Sequence, residues 1–206
     1  MKITRLNVGQ LGANCYIVYC EKTLQGAVID PGGNGKDILA IISRDHIKVV
    51  CILNTHGHAD HVAANDEIKE ATGAAVFIHG SDEKMLTNPK GNLSSYIGDN
   101  LVCQPADHLL TDGEKFMVGE IEFQVLHTPG HTLGGVCFLA NDVLFSGDTL
   151  FEQSIGRTDF PGGSHSQLLM SIKTKLLTLA DHITVLPGHG PTTSIGDERR
   201  NNPFIQ

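Results

Sequence analysis

The sequence predicts an α/β protein built as a four-layer αββα sandwich, in which two mixed β-sheets are flanked by helices. Each half of the chain begins with short β-rich runs, continues into a helical pattern, and returns to an apolar strand that ends at a histidine, His56 or His189. An acidic residue also follows a strand in each half, at Asp30 and Asp148. Two such halves bury their sheets against each other when helices cover the outside. The loops of both halves then open on one edge, where polar residues at strand ends commonly form the site.

Both halves supply the elements of this sandwich in order. Ile38, Ile41 and Ile42 recur at helical spacing, and the run from 47 to 53 is continuously apolar, as in a buried strand. Ser164 is a typical N-cap residue before a helical apolar pattern. The predicted strands are 3–8, 14–20, 26–30, 47–53, 75–78, 115–118, 121–126, 135–140, 143–146 and 183–186. The predicted helices are 35–45, 61–71, 81–86 and 164–180, and the region 87–107 is predicted to be irregular.

Composition excludes several classes of protein. The 206 residues carry 15 Lys+Arg against 23 Asp+Glu, a net charge of -8, which argues against binding to nucleic acid or to a membrane surface. With 40% hydrophobic residues and no low-complexity segment, the chain can bury a core, and we predict one domain over residues 1–206. No signal-peptide core or bilayer-spanning apolar run is found, so we expect a cytoplasmic protein. We expect a monomer or a small homo-oligomer.

Cysteine and histidine are used differently in this chain. The 5 cysteines show no Cys-x-x-Cys spacing, and several lie in apolar runs, so we interpret them as small buried apolar residues in a reducing compartment. The 11 histidines exceed the number expected by chance, and five of them fall in three short segments that contain glycine. The positions of these five therefore carry the functional signal.

The densest segment follows a predicted buried strand and holds four potential metal ligands: His56, His58, Asp60 and His61. Neutral imidazole is the commonest protein ligand for zinc and also suits iron, and carboxylates complete such sites. An extended His56-x-His58 directs both rings to one side, while the turn through Asp60 brings His61 to a second position. One loop could thus serve two metals. The alternative is a set of solvated loop histidines, with Asp60 as a helix N-cap.

Three further candidates, His131, Asp148 and His189, each follow a predicted strand and have a glycine neighbour. Glycine lets the backbone bend sharply at such a point and expose the next side chain. Taken alone, each is more typical of a turn than of a ligand. Their meaning depends on whether they meet the four residues above.

Seven residues together resemble the site of a known family, the metallo-β-lactamase superfamily, over essentially the whole chain: His56, His58, Asp60, His61, His131, Asp148 and His189. Within it, the sequence is most similar to the short bacterial relatives of glyoxalase II, the hydroxyacylglutathione hydrolases. The resemblance implies the metallo-β-lactamase fold and two divalent metal ions, with zinc favoured and iron or manganese as alternatives. It implies one ion on His56, His58 and His131, a second on Asp60, His61 and His189, and Asp148 as a bridge.

Individual positions discriminate among the branches of this superfamily. Class B β-lactamases usually carry cysteine at the position that matches Asp148, so β-lactam hydrolysis is disfavoured. Flavodiiron relatives carry glutamate at the position of His58. The nucleic-acid-processing branch has a long inserted domain, for which 206 residues leave no room. The resemblance also implies that Asp30 supports the ligand loops from behind.

The chemistry of such a site points to a hydrolase. Two divalent cations would lower the pKa of a bridging water to about neutrality, and the resulting hydroxide would attack a carbonyl that the cations polarise. With Asp60 and Asp148 as the catalytic carboxylates, the site carries a charge of about +1 and favours an anionic substrate. A thiol with a pKa of about 8.5 leaves without a dedicated acid. We therefore predict hydrolysis of a small anionic thioester, and the resemblance implies S-lactoylglutathione. Arg199 and Arg200 are interpreted as surface residues, with a contact to the substrate as the alternative.

Residues 156–163 resemble a stretch shared by short glyoxalase II-like hydrolases and by persulfide dioxygenases. The dioxygenases hold one iron on the counterparts of His56, His131 and Asp148, so a mononuclear iron persulfide dioxygenase is the alternative function. A non-catalytic metal-binding protein is a third possibility. The residues expected to contact the substrate are Tyr16, Arg157, Asp159 and Phe160. A pair between Arg157 and Asp159 that merely orders the loop is equally compatible with the sequence.

Overall fold

The computed structural model describes residues 1–205. Its strands are β1 Lys2–Val8, β2 Ala13–Tyr19, β3 Gln25–Ile29, β4 Lys48–Leu53, β5 Ala75–His79, β6 His108–Leu110, β7 Lys115–Val118, β8 Ile121–His127, β9 Val136–Ala140, β10 Val143–Gly147, β11 Leu150–Phe151, β12 Ser154–Ile155, β13 Thr184–Pro187 and β14 Thr193–Ser194. Its α-helices are α1 Gly35–Arg44, α2 Ala59–Val62, α3 Asn65–Thr72, α4 Glu83–Leu86, α5 His165–Ser171 and α6 Ile195–Asn201. A 3-10 turn spans Ser94–Ile97, and a π-helical turn spans Ile172–Leu176.

Two mixed six-stranded sheets form the centre of the molecule. The first has the order β1-β2-β3-β4-β5-β6, with antiparallel pairing up to β3 and parallel pairing beyond it. The second has the order β14-β13-β10-β9-β8-β7, in which β10 and β13 pair in parallel and the other neighbours are antiparallel. Because parallel neighbours end at the same edge of a sheet, the loops after β3, β4, β10 and β13 lie close to one another.

Side-chain alternation along the strands separates three apolar layers. On β2, Tyr16 and Val18 face the second sheet, where they pack with residues such as Phe123 and Phe145. The intervening Cys15, Ile17 and Tyr19 face outwards and pack against α1 and α3. The third layer lies outside the second sheet, under α5 and α6. The four-layer αββα prediction is therefore confirmed, and all five cysteines are buried and free, as expected.

Two predicted helices are wrong in their extent. The helix predicted at 61–71 is divided into α2 and α3, because the Ala64 N–H bonds to the Pro31 carbonyl instead of continuing the helical ladder. A reciprocal amide pair between Asn54 and Asn65 holds the start of α3 against the end of β4. The helix predicted at 164–180 begins as expected after the N-cap Ser164, but its α-helical part ends at Ser171 and a π-helical turn follows.

Several short elements are absent from the prediction. They are β6, the hairpin of β11 and β12, β14, α6 and the 3-10 turn inside the irregular region. The hairpin matters for the site because it lines the pocket described below, and the buried Glu198 of α6 holds its turn by accepting from the Gln153 N–H. None of the helices within residues 1–205 has the length and apolar character needed to cross a bilayer.

Candidate metal centre

All seven residues singled out by the sequence meet at one edge of the sandwich, at the ends of strands from both sheets. His56 and His58 follow β4, while Asp60 and His61 lie in α2. The loops after β8, β10 and β13 supply the remaining three, which are His131, Asp148 and His189. We refer to these seven side chains as the His/Asp cluster.

One part of the cluster consists of His56, His58 and His131, whose ligand atoms all lie within 4.8 Å of one another. His58 Nδ1 and His131 Nε2 face each other at 3.0 Å. The Nε2 atom of His56 is buried and has no hydrogen-bond partner among the described residues. Three buried imidazoles with converging nitrogens form one candidate metal position.

The other part consists of Asp60, His61 and His189, again with ligand atoms within 4.8 Å of one another. His189 Nε2 lies 3.2 Å from Asp60 Oδ2 and 3.3 Å from His61 Nε2. Two imidazole nitrogens and a carboxylate oxygen are therefore directed at one point. This is a second candidate position with a donor set that suits zinc or iron.

Asp148 lies between the two parts. Its Oδ1 is 3.5 Å from His61 Nε2, while its Oδ2 is 3.7 Å from His131 Nε2. Oδ1 is buried without a hydrogen-bond partner in the described chain. Oδ2 is also 3.9 Å from His189 Nε2. A carboxylate placed between the two groups of histidines in this way could serve both positions.

The cluster fits metal ions by the chemistry of its atoms. Burying an imidazole nitrogen and a carboxylate oxygen without partners is costly, and here the two unpartnered atoms, on His56 and Asp148, point into the same cluster. Elsewhere in the cluster, imidazole nitrogens face one another, His58 Nδ1 and His131 Nε2 at 3.0 Å and His61 Nε2 and His189 Nε2 at 3.3 Å. Cations between these atoms would satisfy them together. The residues present therefore suit the two divalent ions that the sequence resemblance implies.

Charge in the cluster is divided between its two parts. Burial lowers the pKa of His58 to about 3 and that of His56 well below its usual value, so both rings are neutral at physiological pH. Burial also works to lower the pKa of His61. The carboxylates of Asp148, Asp60 and Asp30 outweigh burial there and raise the pKa of His61 to about 10. Surroundings that favour a proton so strongly also favour a metal cation.

Asp60 remains ionised in this setting. Burial alone would raise the pKa of its carboxyl group, but the imidazoles of His61 and His189 hold that pKa well below its usual range. The Asp60 hydrogen bond raises the pKa of His189 in return. An ionised carboxylate next to a ring nitrogen is the state in which both groups can bind a metal.

Asp82, which sequence analysis did not single out, joins two of the loops that carry the cluster. Its buried carboxylate accepts from the Gly57 N–H at 3.2 Å, from the Thr132 hydroxyl at 2.7 Å and from the Gly134 N–H at 2.6 Å. Gly57 lies between two histidines of the cluster, and Thr132 follows His131. Burial raises the pKa of Asp82, and the hydrogen bonds from Thr132 and Gly134 oppose that rise. In sequence, the residue resembles an ordinary helix N-cap after Ser81, so no signal distinguished it.

The cluster forms the floor of a pocket of about 520 Å³. Arg157 and Phe160, both expected to contact the substrate, line this pocket, and the Arg157 guanidinium lies 3.9 Å from the centre of the Phe160 ring. The Arg157 backbone carbonyl also accepts from His131 Nδ1 at 2.7 Å. Asp159 does not line the pocket and instead pairs with the Arg157 guanidinium through two contacts of 2.7 Å. The loop-ordering pair is thus present, and it leaves Asp159 outside the pocket.

The prediction that Tyr16 contacts the substrate is wrong. Its side chain is 2% exposed between the sheets, because it lies on the inward face of β2. The hydroxyl donates to the Pro187 carbonyl at 2.7 Å, and Asn14 donates to the same carbonyl and to that of Gly190. Tyr16 therefore holds the loop that carries His189 and does not reach the pocket.

The alternative of a substrate contact for Arg199 and Arg200 is also wrong. Arg199 donates to the carbonyls of Leu177 and Leu179 at 2.7 and 2.8 Å and forms an ion pair with Asp181. Arg200 pairs with Asp181 as well. Neither arginine lines the pocket. Both fasten α6 to the segment that follows the π-helical turn.

An αββα sandwich that gathers five imidazoles and two carboxylates at one edge of its sheets is typical of metal-dependent hydrolases. The chain belongs to the metallo-beta-lactamase superfamily, whose family model matches residues 8–189. The family resemblance drawn from the sequence is therefore confirmed.

Two curated relatives match the chain over its whole length. The probable metallo-hydrolase YqgX of Bacillus subtilis is 38% identical over 208 residues, which cover 100% of this chain and 98% of YqgX. The hydroxyacylglutathione hydrolase GloC of Haemophilus influenzae is 35% identical over 216 residues, with 100% and 98% of the two chains covered. These similarities are consistent with the short glyoxalase II-like branch.

Solved structures agree with this assignment. BLEG-1 B3 metallo-beta-lactamase superposes with a TM-score of 0.95 at 38% identity, over 99% of both chains. TTHA1623 in a di-iron-bound form gives 0.87 at 36% identity, over 98% of this chain and 99% of the other. ETHE1 from Myxococcus xanthus gives 0.84 at 32% identity, over 98% and 84%.

Proposed function

We propose that this protein is a dinuclear metal-dependent hydrolase of small thioesters, in the manner of glyoxalase II. The observation that carries the proposal is the position of Asp148, whose carboxylate lies between two groups of convergent nitrogens and within 4 Å of a nitrogen from each. Divalent ions held there would activate water near neutral pH and polarise a substrate carbonyl. Zinc is the favoured metal, with iron or manganese as alternatives. The similarity to GloC, a hydroxyacylglutathione hydrolase, supports the reaction class.

The residues around the cluster would hold the metal ligands in place and exclude water from the substrate. Asp60 and Asp148 would stay ionised as ligands, while Asp30, Thr55 and the Arg157 carbonyl hold the histidine rings in place. The apolar side chains of Phe151, Ile155 and Phe160 would exclude water from the substrate.

The residues that line the pocket favour a leaving group that needs no proton donor. Apart from members of the cluster, no carboxylic acid or histidine lines the pocket in the described part of the chain. An amine would need a proton from such a group, whereas a thiol of pKa about 8.5 departs as thiolate. A thioester is therefore a better fit than an amide, which also disfavours a β-lactam despite the likeness to BLEG-1.

The alternative of a mononuclear iron persulfide dioxygenase uses fewer of these residues. It would employ His56, His131 and Asp148 and leave Asp60, His61 and His189 without a role. Those three also converge on one point, with both Nε2 atoms directed inwards. The geometry thus supports two metal positions better than one.

The test is an assay of purified protein loaded with two equivalents of Zn²⁺, Mn²⁺ or Fe²⁺, with metal content measured in parallel. Hydrolysis of S-lactoylglutathione or of simple acyl thioesters is expected, and Asp148→Asn should abolish it. Oxygen uptake with glutathione persulfide, or hydrolysis of a chromogenic β-lactam, in place of thioester hydrolysis would overturn the proposal.

A further inference from the structure

Three large apolar side chains stand exposed at the mouth of the pocket. Leu11 is 59% exposed, Tyr96 72% and Ile97 62%, and all three line the pocket above the His/Asp cluster. We call these three residues the apolar rim. They come from two loops far apart in sequence, the β1–β2 turn and the 3-10 turn. Apolar side chains brought together in this way at a pocket mouth commonly mark a binding site.

The 3-10 turn is firmly attached to the cluster. The buried Asn92 accepts from the Ala59 N–H through its carbonyl at 2.9 Å, and Ala59 lies between His58 and Asp60. The Asn92 side chain also accepts from the Ser94 N–H and donates to the Leu101 carbonyl, each at 3.0 Å. The turn is therefore fixed at its base while it presents Tyr96 to solvent.

The pocket has few basic residues that could bind a highly charged thiol carrier. Arg157 is the one lysine or arginine among the residues that line it in the described chain, and both oxygens of Asp159 already engage its guanidinium. A second hollow of about 240 Å³ continues beyond Leu11 and Ile97. It contains no basic residue and includes Asp99. Substrate groups that extend in this direction meet apolar and acidic surface.

We propose that the apolar rim is a subsite for an alkyl or aryl group of the substrate, so that the preferred thioesters carry an apolar substituent where a glutathione ester carries charge. This inference rests on the proposed function. The apolar group could belong to the acyl side or to the thiol side of the scissile bond. Burial of each methylene against the rim should raise kcat/KM about fourfold until the subsite is filled.

The experiment measures kcat/KM of the metal-loaded protein on two series of thioesters. In the first, acetyl, butyryl, hexanoyl and octanoyl groups are carried by the uncharged thiol N-acetylcysteamine. In the second, an acetyl group is carried by alkyl thiols of increasing length. A rise of about fourfold per methylene in either series is expected, and the series that shows it identifies which side of the bond occupies the rim.

Variants connect this effect to the rim. Because Tyr96 and Ile97 are exposed, replacing both with serine should leave the fold intact while flattening the dependence on chain length. Leu11→Ser should flatten it in part. The matched control is Met117→Ser, which removes another exposed apolar side chain, 56% accessible, from β7. This control should keep the full dependence.

The outcomes separate the two proposals. Equal kcat/KM along both series, or S-lactoylglutathione preferred over every apolar ester, would overturn the subsite while the thioesterase function stands. A steep dependence that survives in the Tyr96 and Ile97 double variant would also overturn it. Failure to hydrolyse any thioester would overturn the proposed function itself.

Discussion

The imidazole of His61 lies 3.0 Å from Asp30, Nδ1 to Oδ2, and both side chains are buried. The same carboxylate oxygen accepts from the Thr55 hydroxyl at 2.6 Å, while Oδ1 accepts from the Thr55 N–H at 2.7 Å. Because the Thr55 hydroxyl gives its hydrogen to Asp30, it can only accept from His56 Nδ1, which lies 3.1 Å away. One aspartate thus orients both rings with Nε2 towards the cluster.

This relationship predicts the effect of Asp30→Asn. The amide has one acceptor oxygen and one NH2 donor, so the variant cannot keep all three hydrogen bonds: the NH2 group must face either the Thr55 N–H or the side with the Thr55 hydroxyl and the His61 ring. We expect metal affinity to fall 10- to 100-fold, which is the usual cost of losing a group that orients ligands. Competition with a chromogenic chelator measures the affinity.

The matched control is Asp142→Asn, which changes an exposed carboxylate in the β9–β10 turn. It should bind metal like the wild type. Unchanged metal affinity in Asp30→Asn would show that the ring orientations do not depend on this carboxylate.

The hydrogen bonds of Asp82 predict that its loss weakens metal binding at only one of the two positions. Asp82→Ala removes the acceptor shared by Gly57, Thr132 and Gly134 and so releases the two loops that carry His58 and His131. We expect binding at one of the two proposed metal positions to weaken at least tenfold while the other stays tight, since the Asp82 side chain bonds to the loops of His58 and His131 and not to Asp60, His61 or His189.

Metal titration with calorimetry distinguishes the two positions. Asp37→Ala, at an exposed position in the first turn of α1, is the control and should keep both equivalents. Equal weakening of both metals in Asp82→Ala would contradict the assignment of Asp82 to one half of the cluster.

The sequence predicted the fold where apolar periodicity is strong and missed it where elements are short. The strands from 3 to 53 were found because they are apolar and bounded by turn residues, whereas β6 and β14 have two or three residues and no pattern. The start of α6 does carry a sequence signal, because Ser194 is a typical N-cap residue and accepts from the Asp197 N–H. The interruption between α2 and α3 depends on the Pro31 carbonyl, a tertiary contact that local sequence does not encode.

In the candidate site too, residues with a clear local pattern were predicted, and residues whose role depends on tertiary contacts were not. All seven members of the cluster were singled out from the sequence. Four stand in one segment that is dense in metal-ligating residue types, whereas His131, Asp148 and His189 were assigned through the family resemblance. Tyr16 was predicted wrongly, since an aromatic residue on an alternating strand gives no sign of which face it occupies. Asp82 and the rim residues Tyr96 and Ile97 were missed because their roles come from contacts between distant segments.

Close packing behind the cluster predicts that Gly188→Ala is damaging. A methyl group at this position would collide with Asp148 Oδ1 and would lie 2.8 Å from His61 Cε1. We expect kcat/KM to fall at least 100-fold, together with metal content, and we expect a stability loss of about 1–3 kcal/mol from overpacking. Circular dichroism with thermal unfolding checks that the variant still folds.

Gly80→Ala is the matched control, because an added Cβ there meets nothing within 4 Å and the backbone angle is ordinary. It should keep full activity. A fully active Gly188→Ala enzyme would mean that Asp148 does not need its present position.

The pKa of His58 predicts how acid affects the metal-free protein. Burial, aided by His131, lowers it from 6.5 to about 3, so the folded state binds this proton less readily than the unfolded chain. Stability is therefore lost as pH falls below 6.5, by about 2 kcal/mol between pH 7.5 and 5 for this residue alone. His61 has the opposite effect on stability. Its pKa is raised to about 10, so proton binding by the folded state stabilises the protein fully below pH 6.5, and this stabilisation is lost as the pH rises towards 10.

The measurement compares chelator-treated wild type and His58→Gln by urea unfolding at pH 7.5 and pH 5. The variant lacks the buried titrating ring, whereas His61 contributes to both proteins alike. On acidification, the free energy of unfolding of the variant should therefore gain about 2 kcal/mol relative to the wild type. His182→Gln removes an exposed ring that contacts Asp142 and should follow the wild type. Identical pH dependence in His58→Gln and the wild type would show that burial does not keep the His58 ring neutral.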